Sequence, residues 1–192
     1  MPTLSTASTV TAEDLFRFPA DGFRYELVNG SLRMMSPAGG RHGRIAVQIA
    51  WLLKNHVHAD QVGVVFAAET GFRISSDPDT VLAPDVAYVE RSRYEALDET
   101  TSYLPIAPDL VIEVLSPFVN QPSDRFAAVE SKALAWLDAS SKLVLLVDPD
   151  SEVVHAYRSR KQIEIFQAHE TIDCSDAVAG WTLVVADVFK LY

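Results

Sequence analysis

Two periods run along this chain, one of 3.6 residues and one of two, and their order predicts a mixed α/β fold. Thr11 followed by Asp14 makes a capping-box pattern, predicting a short helix through Phe18 that Pro19 and Gly22 end. Alternating runs at 23–28 and 31–35 flank Asn29-Gly30, a pair suited to the positive φ of a two-residue turn, and predict a β-hairpin. After the loop of Pro37, Gly39 and Gly40, a stripe of Ile45, Ile49, Leu52 and Leu53 predicts a helix over 41–58, with His42 and His56 on the stripe's side. Strands are predicted at 63–68 and 70–74, a turn at Asp77-Pro78-Asp79, and a strand opening at Asp85. Residues 91–105 are polar and charged and read as a helical excursion ending at Pro105. Phe126, Val129, Ala133 and Leu137 predict a further helix to Asp138, capped by Ser123. Strands at 142–147, 152–158, 162–167 and 181–185 and a last helical turn near Phe189 complete the pattern.

The run 109–115 matters most. Alternation puts Leu110, Ile112 and Val114 on one face and Val111, Glu113 and Leu115 on the other. Both faces are apolar except at Glu113, the mark of a strand covered on both sides. An ionised carboxylate there costs several kcal/mol, roughly, unless something pairs with it. Asp85 opens another apolar run, Val86 to Val89. Lys132 flanks the apolar stripe of the following helix, beside Trp136, so its stem can lie on the sheet while its amine reaches past the edge.

Composition narrows the classes. The chain has 192 residues, about half of them hydrophobic (48%), enough for one domain with a sizeable core. Residues 1–10, rich in Ser and Thr, read as a flexible arm, and 11–192 as a single domain. Sixteen basic against 26 acidic residues give a net charge of -10, so the surface repels polyanions except at a local basic patch or a bridging metal ion. The one cysteine, Cys174, excludes an internal disulfide and a cysteine zinc site. No apolar run approaches the roughly 20 residues of a membrane span, and residues 1–6 lack the basic and apolar regions of a signal peptide. A soluble, cytoplasmic protein with no membrane partner is expected.

Two acids on apolar strands with a cation nearby suit a metal site. Mg²⁺ takes oxygen ligands, typically one or two carboxylates plus waters. In phosphodiester cleavage the cation neutralises phosphate charge and lowers the pKa of an attacking water. The same residues also fit a structural arrangement, with each acid satisfied by a lysine or by backbone N–H groups.

Several pieces together resemble a known family. They are Tyr25-Glu26-Leu27-Val28-Asn29-Gly30, Ser36-Pro37 with His42-Gly43, Leu82-Ala83-Pro84-Asp85-Val86, the run Pro108 to Pro117 containing Glu113-Val114-Leu115, Lys132, and Val147-Asp148-Pro149. In order and spacing they resemble the PD-(D/E)XK nuclease superfamily and, more closely, its Uma-type restriction-endonuclease family, over roughly residues 12–160. The resemblance implies a restriction-endonuclease-like core, a mixed β-sheet flanked by helices. It implies Mg²⁺ or Mn²⁺ held by Asp85 and Glu113, Lys132 positioning or activating the water, and Glu26 and His42 as auxiliary site residues. It also implies a DNA substrate and a homodimer, since double-strand cleavage commonly uses paired sites. The superfamily's usual lysine position, two residues after the Glu, holds Leu115; the lysine has moved to the next helix, where Lys132 matches. Trp136 stands where many relatives carry Tyr and reads as a packing change.

Other candidates carry less. His56 reads as structural and Glu69 as a surface acid that could line the cleft. Arg41 and Arg44 flank His42, the only basic cluster near the expected site, and either meet a phosphate or solvate the helix start. Cys174 has no His partner nearby, and no serine has the Gly-x-Ser-x-Gly context of a serine hydrolase. Two rivals stay open: a catalytically silent module of the same fold, and a metal-dependent phosphoesterase on small substrates, which would suit an acidic protein better than duplex DNA does.

Overall fold

A computed structural model describes residues 9–19, 22–97, 103–116 and 122–190, with the side chains of 122–125 not described. Its centre is a six-stranded mixed sheet built from β3 (Gly63–Ala67), β6 (Val86–Glu90), β7 (Leu110–Val114), β8 (Leu143–Asp148), β9 (Val153–Ser159) and β10 (Gln162–Phe166). The spatial order is β10-β9-β8-β7-β6-β3. Only β7 and β8 pair in parallel, and the helix α4 (Pro122–Asp138) makes the crossover a parallel pair requires. The remaining neighbours are antiparallel.

A second sheet, ordered β2-β1-β5-β4, comprises β1 (Arg24–Val28), β2 (Ser31–Met35), β4 (Phe72–Ser75) and β5 (Thr80–Leu82). Its β1–β2 hairpin turns at Asn29 and Gly30 with φ of 49° and 72°, as the dipeptide predicts. Helix α1 (Ala12–Phe16) starts at Thr11 with both halves of the capping box formed. It is tied to this sheet by Ala12 N–H donating to Asp79 at 2.7 Å. Residues 1–8 of the expected arm lie outside the described residues, and Val10 donates to the carbonyl of Gly30.

Helix α2 (Gly40–Asp60) covers one face of the large sheet, where Ile45, Ile49, Leu53 and Val57 bury against Leu110, Ile112 and Val114. The C-terminal pair β11 (Thr171–Asp173) and β12 (Thr182–Val184), with α5 (Val185–Phe189), closes the same core. Helix α4 and the second sheet meet the opposite face, where Phe72, Leu82, Val111, Ala133 and Trp136 form another core. The central strand is thus covered on both sides, as its two apolar faces require. The short helix α3 (Arg91–Glu95) occupies the start of the expected helical excursion; residues 98–102 lie outside the described residues. Expected strand and helix ends shift by one or two residues, and β5 and β11 are additional strands of three residues each. Among the described residues no helix is long and apolar enough to cross a membrane.

Candidate active site

The β6–β7 ladder ends at Val86–Ile112, and Asp85 and Glu113 are the next residue of each chain segment beyond it. Alternation from Ala87 and from Val111 puts the two acids on one face of the sheet. That face is the one toward α4 and the second sheet, with Val111 and Ala87 beneath the acids. Leu115, in the superfamily's lysine position, is buried and gives the site no charge.

Lys132 supplies the charge from α4. Its Nζ lies 2.8 Å from Glu26 Oε1 and 3.0 Å from Glu113 Oε1, and donates to the carbonyl of Ala83 at 2.9 Å. Glu26 arrives from β1 of the other sheet, held by the N–H of Ala83 at 3.0 Å. The lysine therefore ties both sheets together at one point. Trp136, one turn after Lys132 and on the same helix face, donates its indole N–H to Glu113 Oε1 at 2.9 Å. It is fully buried and is more than the packing change expected of it. The i, i+4 spacing from Lys132 was the available signal.

Asp85 is held from the other side. His42, in the first turn of α2, places Nε2 3.0 Å from Asp85 Oδ2, and the N–H of Val114 donates to the same oxygen at 2.8 Å. Among the described residues none donates to Asp85 Oδ1. All five expected site residues, Glu26, His42, Asp85, Glu113 and Lys132, line one cleft of about 800 Å³. Lys132 is the most accessible of them, with 16% of its side chain exposed.

The electrostatics follow from burial and pairing. Burial pushes Asp85 up, but the His42 hydrogen bond and charge and the Val114 N–H outweigh it, leaving the carboxyl below its ordinary range. Burial disfavours the His42 cation, yet the Asp85 carboxylate raises it above an ordinary histidine. Glu113 is raised, chiefly by burial and further by the Asp85 and Glu26 charges, against the pull of Lys132 and Trp136. Lys132 is raised too: burial disfavours its charge, but the surrounding carboxylates more than compensate. It holds its proton as a fixed ammonium, suited to orienting and stabilising rather than to accepting a proton.

Other sequence candidates fall elsewhere. Arg41 is engaged with Asp150 at 3.1 Å and with the carbonyl of Pro149, and Arg44 donates to the carbonyl of Lys190. His56 contacts the Ala179 carbonyl at 2.8 Å and is structural. Cys174 is buried and its thiol is pushed up to about 12, chiefly by burial, which makes it an unreactive group. Glu69 is exposed and borders a hollow beside the cleft. Besides Lys132 and His42, the basic residues that line the cleft are Arg24 and Arg33, on the same hairpin face as Glu26. Alternation from Glu26 marks Arg24, and cross-strand pairing marks Arg33.

A mixed sheet covered on both faces, with paired acids at its centre and a lysine over them, defines a restriction-endonuclease-like nuclease architecture. The chain belongs to the Uma2 family, described as "Putative restriction endonuclease", whose model matches residues 12–186. A solved structure from Anabaena variabilis, described as "a putative nuclease", shares the fold at a TM-score of 0.78 and 22% identity, covering 94% of this chain and 97% of that one. No curated protein matches the chain.

Proposed function

We propose that this chain is a metal-dependent endonuclease that hydrolyses DNA phosphodiester bonds in the cleft between the two sheets. One observation carries the reading: Asp85 and Glu113 line one cleft, close enough for the Asp85 charge to raise Glu113, with the Lys132 ammonium 3.0 Å from Glu113. Among the described residues no three His, Cys, Asp or Glu side chains form a ready metal cage. Mg²⁺ does not need one, because it keeps several waters and uses one or two carboxylates. Asp85 Oδ1, with no donor among the described residues, and Glu113 are hard oxygen donors that fit Mg²⁺ or Mn²⁺. When bound there, such a cation supplies charge neutralisation and a lowered water pKa.

The chain's own groups do the remaining work. His42 and the Val114 N–H fix Asp85 through Oδ2, and its other oxygen has no donor among the described residues. Trp136 holds Glu113 by Oε1. Lys132 Nζ, its three N–H groups directed at Glu26, Glu113 and the Ala83 carbonyl, carries a charge that can stabilise charge developing on a phosphate. Glu26 orients Lys132 and keeps its amine over Glu113. A homodimer, bringing two such clefts to the two strands of a duplex, is part of the same reading; sedimentation that stays monomeric at every concentration would remove it.

A second reading has its own observation. Lys132 is engaged with two carboxylates and a carbonyl, and Leu115 is buried, so the chain also has the makings of a silent module of the nuclease fold. Calorimetry with Mg²⁺ and Mn²⁺ on wild type, Asp85→Ala and Glu113→Ala, beside cleavage of plasmid and single-stranded DNA, separates the two. Binding and cleavage both lost in the variants support the endonuclease. Metal binding without cleavage supports the module. No binding in wild type overturns the metal assignment.

A further inference from the structure

The cleft has a second wall. On β1 and β2, the face carrying Glu26 also carries Arg24, two residues earlier, and Arg33, directly across the ladder. Both guanidiniums border the cleft, and neither has a carboxylate partner among the described residues. On a chain of net charge -10, this hairpin face carries two arginines to one glutamate. Most of the arginines elsewhere are engaged: Arg41 with Asp150, Arg73 with Asp79, Arg91 with Glu95, Arg158 with Asp176 and Arg160 with Asp138.

The cleft also continues. Arg24, Glu26, Met35, Leu82 and Ala83 border both it and an adjoining hollow of about 360 Å³. That hollow is lined by Phe23 and by Tyr103, whose ring is packed edge-on against Phe16 at 5.7 Å and over Gly71. Phe23 is half-exposed. Val129 and Ala135 of α4 add apolar side chains to the cleft's lining. The acids lie at the bottom, each with less than a tenth of its side chain exposed.

Resting on the nuclease reading above, we infer that this cleft takes an unpaired nucleic-acid strand, with Arg24 and Arg33 holding its phosphates and Phe23 stacking a base. Three properties converge on that ligand. Guanidiniums recognise phosphate oxygens with paired N–H donors. An aromatic face beside cationic side chains is how proteins hold single strands without reading sequence. A strand whose bases are stacked within a duplex cannot offer them to the Phe23 hollow while its backbone reaches Glu113 at the bottom of the cleft.

The test is fluorescence anisotropy with a labelled oligo-dT and a labelled hairpin duplex, in Ca²⁺ and again in EDTA. It compares wild type, the double variant Arg24→Gln/Arg33→Gln, Phe23→Ala, and Lys54→Gln as a control on the exposed side of α2. The unpaired strand should bind more tightly than the duplex. The double variant should reduce the slope of log K against log salt by about 1.4, at roughly 0.7 for each strand phosphate that an arginine no longer neutralises. Phe23→Ala should weaken oligo-dT binding about 5- to 150-fold, the range for one stacked base. Lys54→Gln should leave the slope unchanged. Tighter binding of the duplex, or an unchanged slope in the double variant, overturns the inference. Cleavage of plasmid and of single-stranded DNA distinguishes its failure from that of the nuclease reading. Cleavage with duplex preference overturns the strand inference alone. Strand binding that disappears with the arginines, but no cleavage of any substrate, overturns the nuclease reading alone.

Discussion

Replacing Lys132 by Met keeps the length of the side chain and removes its charge, and the structure says what is left behind. Glu26 and Glu113 lose a shared cation at 2.8 and 3.0 Å, and the Ala83 carbonyl loses a donor at 2.9 Å. Removing one partner of a buried ion pair costs about 3–5 kcal/mol, because the remaining charge stays desolvated. For a chain of this size each kcal/mol lowers Tm by about 2–4 °C, so the variant should melt roughly 6–20 °C below wild type in EDTA. Glu113 has a partial escape through protonation, since burial already raises it and loss of Lys132 raises it further. A carboxyl raised above its unfolded value makes the folded state bind the extra proton. Stability is therefore retained below the ordinary Glu range and lost as pH rises through the folded pKa, so the deficit should be larger at pH 8 than at pH 5. Adding Mg²⁺ should recover part of the loss at pH 8, because a divalent cation replaces the missing charge and binds only the folded state. Scanning calorimetry at both pH values, with EDTA and with Mg²⁺, checks all three parts. A variant that melts within 2 °C of wild type at pH 8 in EDTA, a margin about the size of a single kcal/mol, would refute the reasoning.

Two further predictions concern neighbouring groups. Trp136→Phe removes the indole donor to Glu113 but keeps an aromatic ring against Phe72, so the cost should be that of a hydrogen bond to a charged group, about 1.5–3 kcal/mol, read by chemical denaturation. Asp109 is fully buried, with Arg93 at 2.7 Å, Lys142 at 2.9 Å and the Glu90 N–H at 2.9 Å; burial pushes it up, but these partners together lower it. Its contribution is present above the ordinary Asp value and is lost as pH falls through the lower folded one. Asp109→Asn should therefore destabilise at neutral pH and flatten the fall of Tm below about pH 4, whereas an unchanged acid limb would contradict the assignment.

Much of this was legible because it depends on backbone period. Alternation alone puts Glu113 on the face of Val111 and away from Ile112, and Asn29-Gly30 announces its turn by the φ it requires. Capping at Thr11 is equally local. What escaped depends on partners distant in sequence. Strands of three residues, such as β5 and β11, are too short to show a period and exist because β1, β4 and β12 pair with them. Arg41 and Arg44 look closer to the site than Arg24 and Arg33, because sequence proximity to His42 does not show which way α2 turns them. Trp136 reads as core from its position, and only the approach of α4 to β7 reveals the acceptor for its N–H. Asp109 likewise looks like a strand-leading polar residue until Arg93 and Lys142 converge on it.

Trp136 has a further consequence, for motion. Its ring meets Phe72 of the second sheet edge-on at a centroid distance of 6.1 Å, while its N–H is fastened to Glu113 of the central strand. Lys132, one turn earlier, spans the same two sheets through Glu26 and Glu113. Helix α4 is thus bolted twice across the seam between the sheets, once by an apolar ring and once by an ammonium. Any hinge opening of the cleft must break both together, so the indole proton of Trp136 should exchange with solvent only when the whole seam opens, making it a single-residue reporter of breathing at the site.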